Sequence, residues 1–418
     1  MSLHELIAEK RDLDMTFGRF AIGCVAAATS VAFAARAGAA ETFGGALRDG
    51  DVIVDIRARY ETVDQADFAS SAEALTSRLR VGFETAPWKS TSFLVEGVVV
   101  DDLVGDYDST TNGETQYPVV ADPADFAAVN RLAVVNRSLE RTVLTFGRQR
   151  IALDDHRFVG NVGWRQHEQT FDALRAQWKG AKLEADLSYA TRVNRVFGPH
   201  SPQGKWEGDV VLARFAHALP SATLTLFDYY LDIDDAAAVS TNTVGVKVAG
   251  SRPLGRLKAT YALGLARQSE AGVNAADVDA DYRLVEGGLE LARLGVGVGF
   301  ELLGGDGTTA FATPLATLHA FQGWADKFLA TPAAGLEDAY LRITVPFGKR
   351  GPFTNVAATA MFHDYRADAG GERFGEELDF QLVARGERIT LTAKYADYRA
   401  AGLFTDTEKL WLSVDYAF

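Results

Sequence analysis

The last nine residues alternate without a break. Leu410, Leu412, Val414, Tyr416 and Phe418 fall on one side of an extended chain, and Trp411, Ser413, Asp415 and Ala417 on the other. That is the period-two pattern of a strand with one apolar and one polar face. The same alternation recurs upstream. Val52, Val54, Ile56, Ala58 and Tyr60 oppose Asp55, Arg57, Arg59 and Glu61; Leu75, Leu79, Val81 and Phe83 oppose Arg78, Arg80 and Glu84. Segments at 183–189, 244–248, 294–302, 339–345, 378–382 and 389–395 repeat it, and 128–136, 142–151, 210–217 and 223–231 follow it less regularly. From residue 51 onward about eighteen such segments can be traced, each of roughly the length of a spanning strand. Charges sit on their polar faces, where a dry sandwich core would not tolerate them and a water-filled interior would. An apolar stripe at the very end of a chain is expected to fray unless the last strand pairs with the first, as it does in a closed barrel.

The connections sharpen this reading. Long ones (62–74, 101–128, 152–170, 193–209, 232–242, 269–280, 303–337, 365–375 and 398–407) alternate with tight ones such as Pro87–Ser90, Lys179–Ala181 and Gly250–Gly255. Short periplasmic turns against long outer loops is the layout of outer-membrane barrels, and it gives an even strand number. The ending resembles the terminal signal of that class, which finishes on Phe with an aromatic two places earlier. The predicted fold is all-β: a transmembrane antiparallel up-and-down barrel of about 18 strands in the outer membrane of a Gram-negative bacterium. Outer-membrane lipid and the barrel-assembly machinery are then expected partners.

Composition changes the picture at the N-terminus. Arg19 precedes an apolar and small-residue run, Phe20–Ala35, which ends near Ala37-Gly38-Ala39, a small-x-small cleavage pattern. Residues 1–40 are expected to be a signal peptide, with Met15 as an alternative start because 1–14 are polar; a short anchor helix is the competing reading. The barrel domain is expected over 41–418. The only cysteine, Cys24, falls in the leader, so the barrel would hold no disulfide or cysteine metal site. Charges in the leader cancel, leaving the barrel with the net −14. Much of that acidity lies in the long connections, where it solvates a surface or bridges divalent cations. No basic tract for nucleic acid is present.

Residues 144–172 read LTFGRQRIALDDHRFVGNVGWRQHEQTFD. This stretch resembles the alginate-export family of outer-membrane porins, which carries a Gly-Arg-Gln strand end followed by Arg-Phe-x-Gly and Trp-Arg-Gln; here these are Gly147-Arg148-Gln149, Arg157-Phe158-Val159-Gly160 and Trp164-Arg165-Gln166. Residues 311–341 look like that family's long loop before a late strand. The resemblance implies an 18-stranded barrel passing an anionic uronate polysaccharide through an arginine-lined lumen, with a periplasmic export scaffold as a further partner. A porin for small anionic solutes is the alternative.

The candidate pore-lining residues are Arg57, Arg59, Arg78, Arg80, Arg148, Arg150, Arg157, Arg165 and Arg175. Guanidinium stays charged and grips carboxylates bidentately, and rings of it select anions in pores. The other reading has these arginines pairing with lumenal carboxylates such as Asp55, Glu61, Glu84, Glu184 and Asp186 and bracing the wall. Leu144 and Phe146 share parity with Arg148 and Arg150, so a bend or bulge is expected there. If the arginines line a narrow passage, the loops 101–128 and 303–337 are the ones expected to fold inward.

No cofactor is expected. Gly295-x-Gly297-x-Gly299 sits on an alternating strand without the third glycine or helix of a dinucleotide loop, and reads as a small-residue lumen face. The histidines lack metal spacing. Asp154-Asp155-His156 has no nucleophile motif beside it, so an enzyme or a loop-borne adhesin is a remote alternative.

Overall fold

The computed structural model describes residues 40–418. The expected signal segment therefore lies outside the described residues, except Ala40, whose N–H donates to the Pro87 carbonyl at 2.9 Å. A short helix, α1 (Phe43–Arg48), is capped by Thr42 Oγ1 accepting from Gly45 N at 3.1 Å, and its Phe43 packs edge-on against Trp88 and Phe93.

Eighteen strands follow: β1 (Asp51–Gln65), β2 (Ala72–Glu84), β3 (Thr91–Asp106), β4 (Phe126–Asn136), β5 (Thr142–Gln149), β6 (Thr170–Lys179), β7 (Leu183–Asn194), β8 (Lys205–Ala218), β9 (Ala222–Ile233), β10 (Thr241–Leu254), β11 (Leu257–Glu270), β12 (Asp279–Leu291), β13 (Leu294–Leu303), β14 (Leu336–Arg350), β15 (Phe353–Arg366), β16 (Arg373–Arg385), β17 (Ile389–Ala400) and β18 (Thr407–Ala417). Each pairs antiparallel with its sequence neighbours, and β18 closes on β1 from Gln65↔Thr407 to Asp55↔Ala417. The closing seam runs to the last residue, since Phe418 N donates to Val54 O at 2.8 Å. Closure pairs every edge, which is what lets strands cross lipid.

Side-chain direction follows the alternation. Leu79, Val81, Leu174, Val298, Leu412 and Val414 are exposed on the outer face, and their inward neighbours, such as Arg78, Arg80, Arg175 and Trp411, are buried. Most of the long connections are shorter than the sequence implied: the 62–74 connection narrows to 66–71 because pairing continues through Asp64↔Glu408 and Gln65↔Thr407. Antiparallel hydrogen bonding does not stop where the apolar stripe does.

The lumen holds chain as well as water-accessible space. The β5–β6 connection (150–169) and the β13–β14 connection (304–335) fold inside and form one apolar core with the wall, joining Ile151, Trp164, Phe311 and Trp324 to Tyr365, Tyr398 and Trp411. Of the two loops expected inside, 303–337 is there. The other, 107–125 in the structure, forms its own cluster around Tyr107 and Val120 and reaches the interior through Asp122. The expected small-residue face at Gly295–Gly299 is used by a neighbour: a Cβ on Gly299 would lie 2.2 Å from the Tyr340 ring, which lies across the bare backbone.

Candidate functional site

The two inner loops are stitched to one another by backbone. Val159 and Leu315 form a parallel bridge, Gly160 N donates to Leu315 O at 2.8 Å and Thr317 N to His156 O at 3.0 Å. Gly160 is required here, because a Cβ would sit 2.2 Å from Thr317 Oγ1. Gln169 Nε2 spans both loops, donating to Gly160 O at 2.8 Å and Leu315 O at 3.0 Å.

The arginines of the 150–169 loop anchor it to the rest of the interior. Arg157 donates to Glu301 Oε1 at 2.6 Å and Thr313 Oγ1 at 3.1 Å, with Phe321 under its guanidinium at 4.8 Å. Phe158 is surrounded by Phe227, Tyr282 and Phe311. Trp164 stacks on His319 at 4.4 Å, Arg165 meets Asp326 at 2.8 Å, and Gln166 donates to Thr76 Oγ1 at 2.8 Å. Every residue type in the 157–166 motif thus has a docking contact.

The wall arginines face that loop. Arg57 donates to the Trp164 carbonyl at 2.9 Å and to Asp415 at 2.5 Å. Arg59 donates to the same Trp164 carbonyl, lies 4.4 Å over the Trp164 ring and faces Asp122 at 3.4 Å. Arg78 bonds Asp55. Arg80 stands 3.7 Å from Glu168, which Arg150 grips at 2.5 Å while also reaching Glu96 at 3.3 Å. Arg175 makes a two-pronged contact with Asp186 at 2.8 and 2.5 Å. Arg59, Arg78, Arg80, Arg157 and Arg165 are 5% exposed or less. Even so, among the described residues two buried guanidinium nitrogens of Arg78 and two of Arg80 have no hydrogen-bond partner. Buried donors left open in this way favour an added acceptor.

Arg148 does not join them. It stands opposite Leu132 and Asp172, sharing the outer face with Phe146 and Leu174, and bonds Asp172 at 2.7 Å. The strand keeps its parity through Arg148; Gly147, at φ +113°, fits there because a Cβ would lie 2.3 Å from Leu132 O. The chain leaves the sheet after Gln149, which frees Arg150 to turn inward.

Of the wall carboxylates that the sequence offered as partners, Asp55 pairs with Arg78, Glu61 lies 4.0 Å from Arg59 and Asp186 pairs with Arg175; the partners supplied by the inner loops, Glu168 and Asp326, were not foreseen. Glu168 accepts from Asn130 at 2.6 Å as well as from Arg150, and Arg150 and Arg80 hold its carboxyl well below the usual range against the upward pull of burial. Asp326 is likewise held low: burial opposes it, but His319, Arg165 and Lys409 outweigh burial. His319 passes the contact on, with Nδ1 on Asp326 at 2.7 Å and Nε2 on Lys394 Nζ at 2.7 Å; Lys394 lies over Trp324 at 3.8 Å and Trp164 at 4.4 Å. Burial holds His319 well below its ordinary value, and burial pushes His167 down to about 4, Glu168 opposing and Arg80 and Arg148 adding. The far wall is acidic. Glu301 takes Arg157, Tyr282 and Gln322; Glu377 accepts from Ala325 N at 2.6 Å; Asp338 holds His363 at 2.9 Å. Beneath Phe321 and Gln322 a cavity of about 80 Å³ opens between Glu286, Asp338, Tyr340 and Arg342.

A family model described as Alginate export matches residues 54–299. No curated protein matches the sequence significantly. Among solved structures, Pseudomonas aeruginosa OpdL superposes with a TM-score of 0.69 at 16% identity, covering 89% of this chain and 99% of that one. Acinetobacter baumannii OccAB4 gives 0.69 at 13% identity over 88% of this chain and 98% of its own. Pseudomonas aeruginosa OpdK, solved with vanillate, gives 0.67 at 14% identity over 89% and 99%. The likeness is one of fold.

Proposed function

The chain belongs to the alginate export family and is an outer-membrane β-barrel of the porin kind, and from that premise we propose that it passes an anionic polysaccharide or oligosaccharide of the uronate type along its arginine wall. The observation that carries the reading is the row on the inner face of β1 and β2 in which Arg57, Arg59 and Arg80 face the Trp164 carbonyl and the Glu168 carboxylate of the inner loop, with Arg78 beside them on Asp55. Those loop groups occupy the arginines as a solute's carboxylates would. A uronate carboxylate takes the place of Glu168 when residues 161–168 swing away, and the open donors of Arg78 and Arg80 take its second oxygen. Passage is thus an exchange of one set of acceptors for another, so the arginines are never stripped of a partner.

Uptake of small carboxylates is the second reading, favoured by the fold shared with OpdK, whose structure holds vanillate. Single-channel recording in a salt gradient tests both. The expected result is anion selectivity, block by oligo-uronate rather than by a neutral oligosaccharide of equal length, and a reversal potential moved toward cations in Arg57→Gln and Arg80→Gln barrels that still show heat-modifiable migration. Block by a small aromatic carboxylate without block by oligo-uronate favours uptake. Selectivity unchanged in folded variants ends the pore role of these arginines.

A further inference from the structure

The two mouths of the barrel carry opposite charge. The eight short connections hold seven basic side chains, Lys182, Arg256 and Arg293 among them, against Glu140 and Glu387. The seven long connections that stay outside the lumen hold eleven carboxylates, including Asp234, Asp235 and Asp277, against Arg195 alone. Of those carboxylates only Asp122 is buried, on Arg59; the rest stand at the surface or partly so. At the flanking strand ends of the long-loop mouth acidic side chains such as Asp64, Asp106 and Asp232 outnumber basic ones such as Arg366, Arg373 and Arg399, and Asp279 is paired with Arg267. With short turns on the periplasmic side and long loops outside, the order along the axis is basic rim, arginine wall, acidic collar.

From this order we infer that the pore captures anions one-sidedly: they enter at the basic short-turn mouth, and the acidic collar turns back anions that arrive at the long-loop mouth. The inference rests on the anion pathway proposed above and adds a direction of capture to it. The apolar band of such a barrel is about 25 Å tall, and screening length is about 8 Å at physiological salt. Each rim therefore acts on its own mouth only. The basic rim concentrates anions where they enter and raises the encounter rate, while the collar presents a barrier at the other end. A passive pore cannot move an equilibrium, so the asymmetry is one of rates, and it sets which compartment's anions reach the arginines first.

The test uses the full barrel in a planar bilayer, with sidedness fixed by Ala276→Cys on a long connection and a membrane-impermeant maleimide added to one chamber. A tetra-uronate is the probe, added to one side at a time. At 0.1 M salt the blocking on-rate from the short-turn side should exceed that from the long-loop side by on the order of tenfold. At 1 M salt, where screening falls to about 3 Å, the two rates should converge. Neutralising the collar with Asp234→Asn, Asp235→Asn and Asp277→Asn should raise the on-rate from the long-loop side. Lys182→Gln, Arg256→Gln and Arg293→Gln should lower it from the other. An anion-selective pore with equal on-rates at 0.1 M salt, or an asymmetry that the rim variants leave unmoved, overturns one-sided capture and leaves the anion pathway standing. A barrel whose reversal potential in the same bilayer is cation-selective, or that conducts nothing, overturns the pathway and the inference together.

Discussion

The two sides of the lumen solve one problem with opposite charge. On β1 and β2 the wall supplies cations, and the 150–169 loop answers with the Trp164 carbonyl and the Glu168 carboxylate. On β13 and β16 the wall supplies Glu301 and Glu377, and the loops answer with Arg157, Gln322 and the Ala325 amide. Each loop face is complementary to the wall it meets. The difference lies in what a solute can replace. An anion competes for the arginine side with groups of its own kind, whereas on the acidic side it meets repulsion. The lumen therefore has a side suited to carboxylates and a side that holds the loops in place.

The largest effect should come from breaking the charge balance on the arginine side. Glu168→Leu leaves Arg80 facing a buried gap and Arg150 with Glu96 alone, which costs about 3–5 kcal/mol by analogy with broken buried pairs. Glu377→Gln keeps an acceptor for the Ala325 amide, so it should cost about 1 kcal/mol or less. Protease cleavage within 161–168 and 322–326, together with the temperature at which heat-modifiable migration is lost, compares them. Equal losses would break the contrast between the two sides.

A pH titration should separate the loops from the barrel. His167 and His319 have lower pKa values when docked than the ordinary value of about 6.5. The docked loop thus binds fewer protons than the released one, and its stability is complete above pH 6.5 and falls as pH drops toward 4. Glu168 and Asp326 have depressed pKa values, so their contribution is present above their ordinary value of about 4 and is lost below it. Fluorescence of the buried Trp164 and Trp324 should change from pH 6.5 downward while the sheet signal of circular dichroism holds. A single transition shared by both signals would show that loop and barrel unfold as one.

The smallest effect separates two neighbours in sequence. Arg148→Gln acts on the outer face and should leave anion selectivity where it is, whereas Arg150→Gln removes an inward cation and should shift the reversal potential measurably. Equal shifts would place Arg148 in the passage after all.

Much of this was legible from the chain alone. Period-two alternation fixed which side chains face in and which face out, as at Val52–Glu61 and Leu410–Phe418, because the pleat leaves a strand no other choice. Alternating long and short connections fixed the number and pairing order of the strands, because antiparallel neighbours need only a turn. The motif 157–166 was visible as a motif, and Arg165 was visible as a cation, but its role as an anchor was not.

What the tertiary structure decided was partnership. Arg157 meets Glu301 across 144 residues and Arg59 meets Trp164 across 105, and no local pattern encodes such a pairing. Whether an inward arginine meets water, a solute or a loop depends on which connection folds into the barrel. That depends on close approach at Gly160 and Thr317 and on the fit of Trp164 between His319 and Arg59. A strand's faces follow from its own backbone geometry, whereas the contents of the lumen follow from packing among segments that come together only once the sheet has closed.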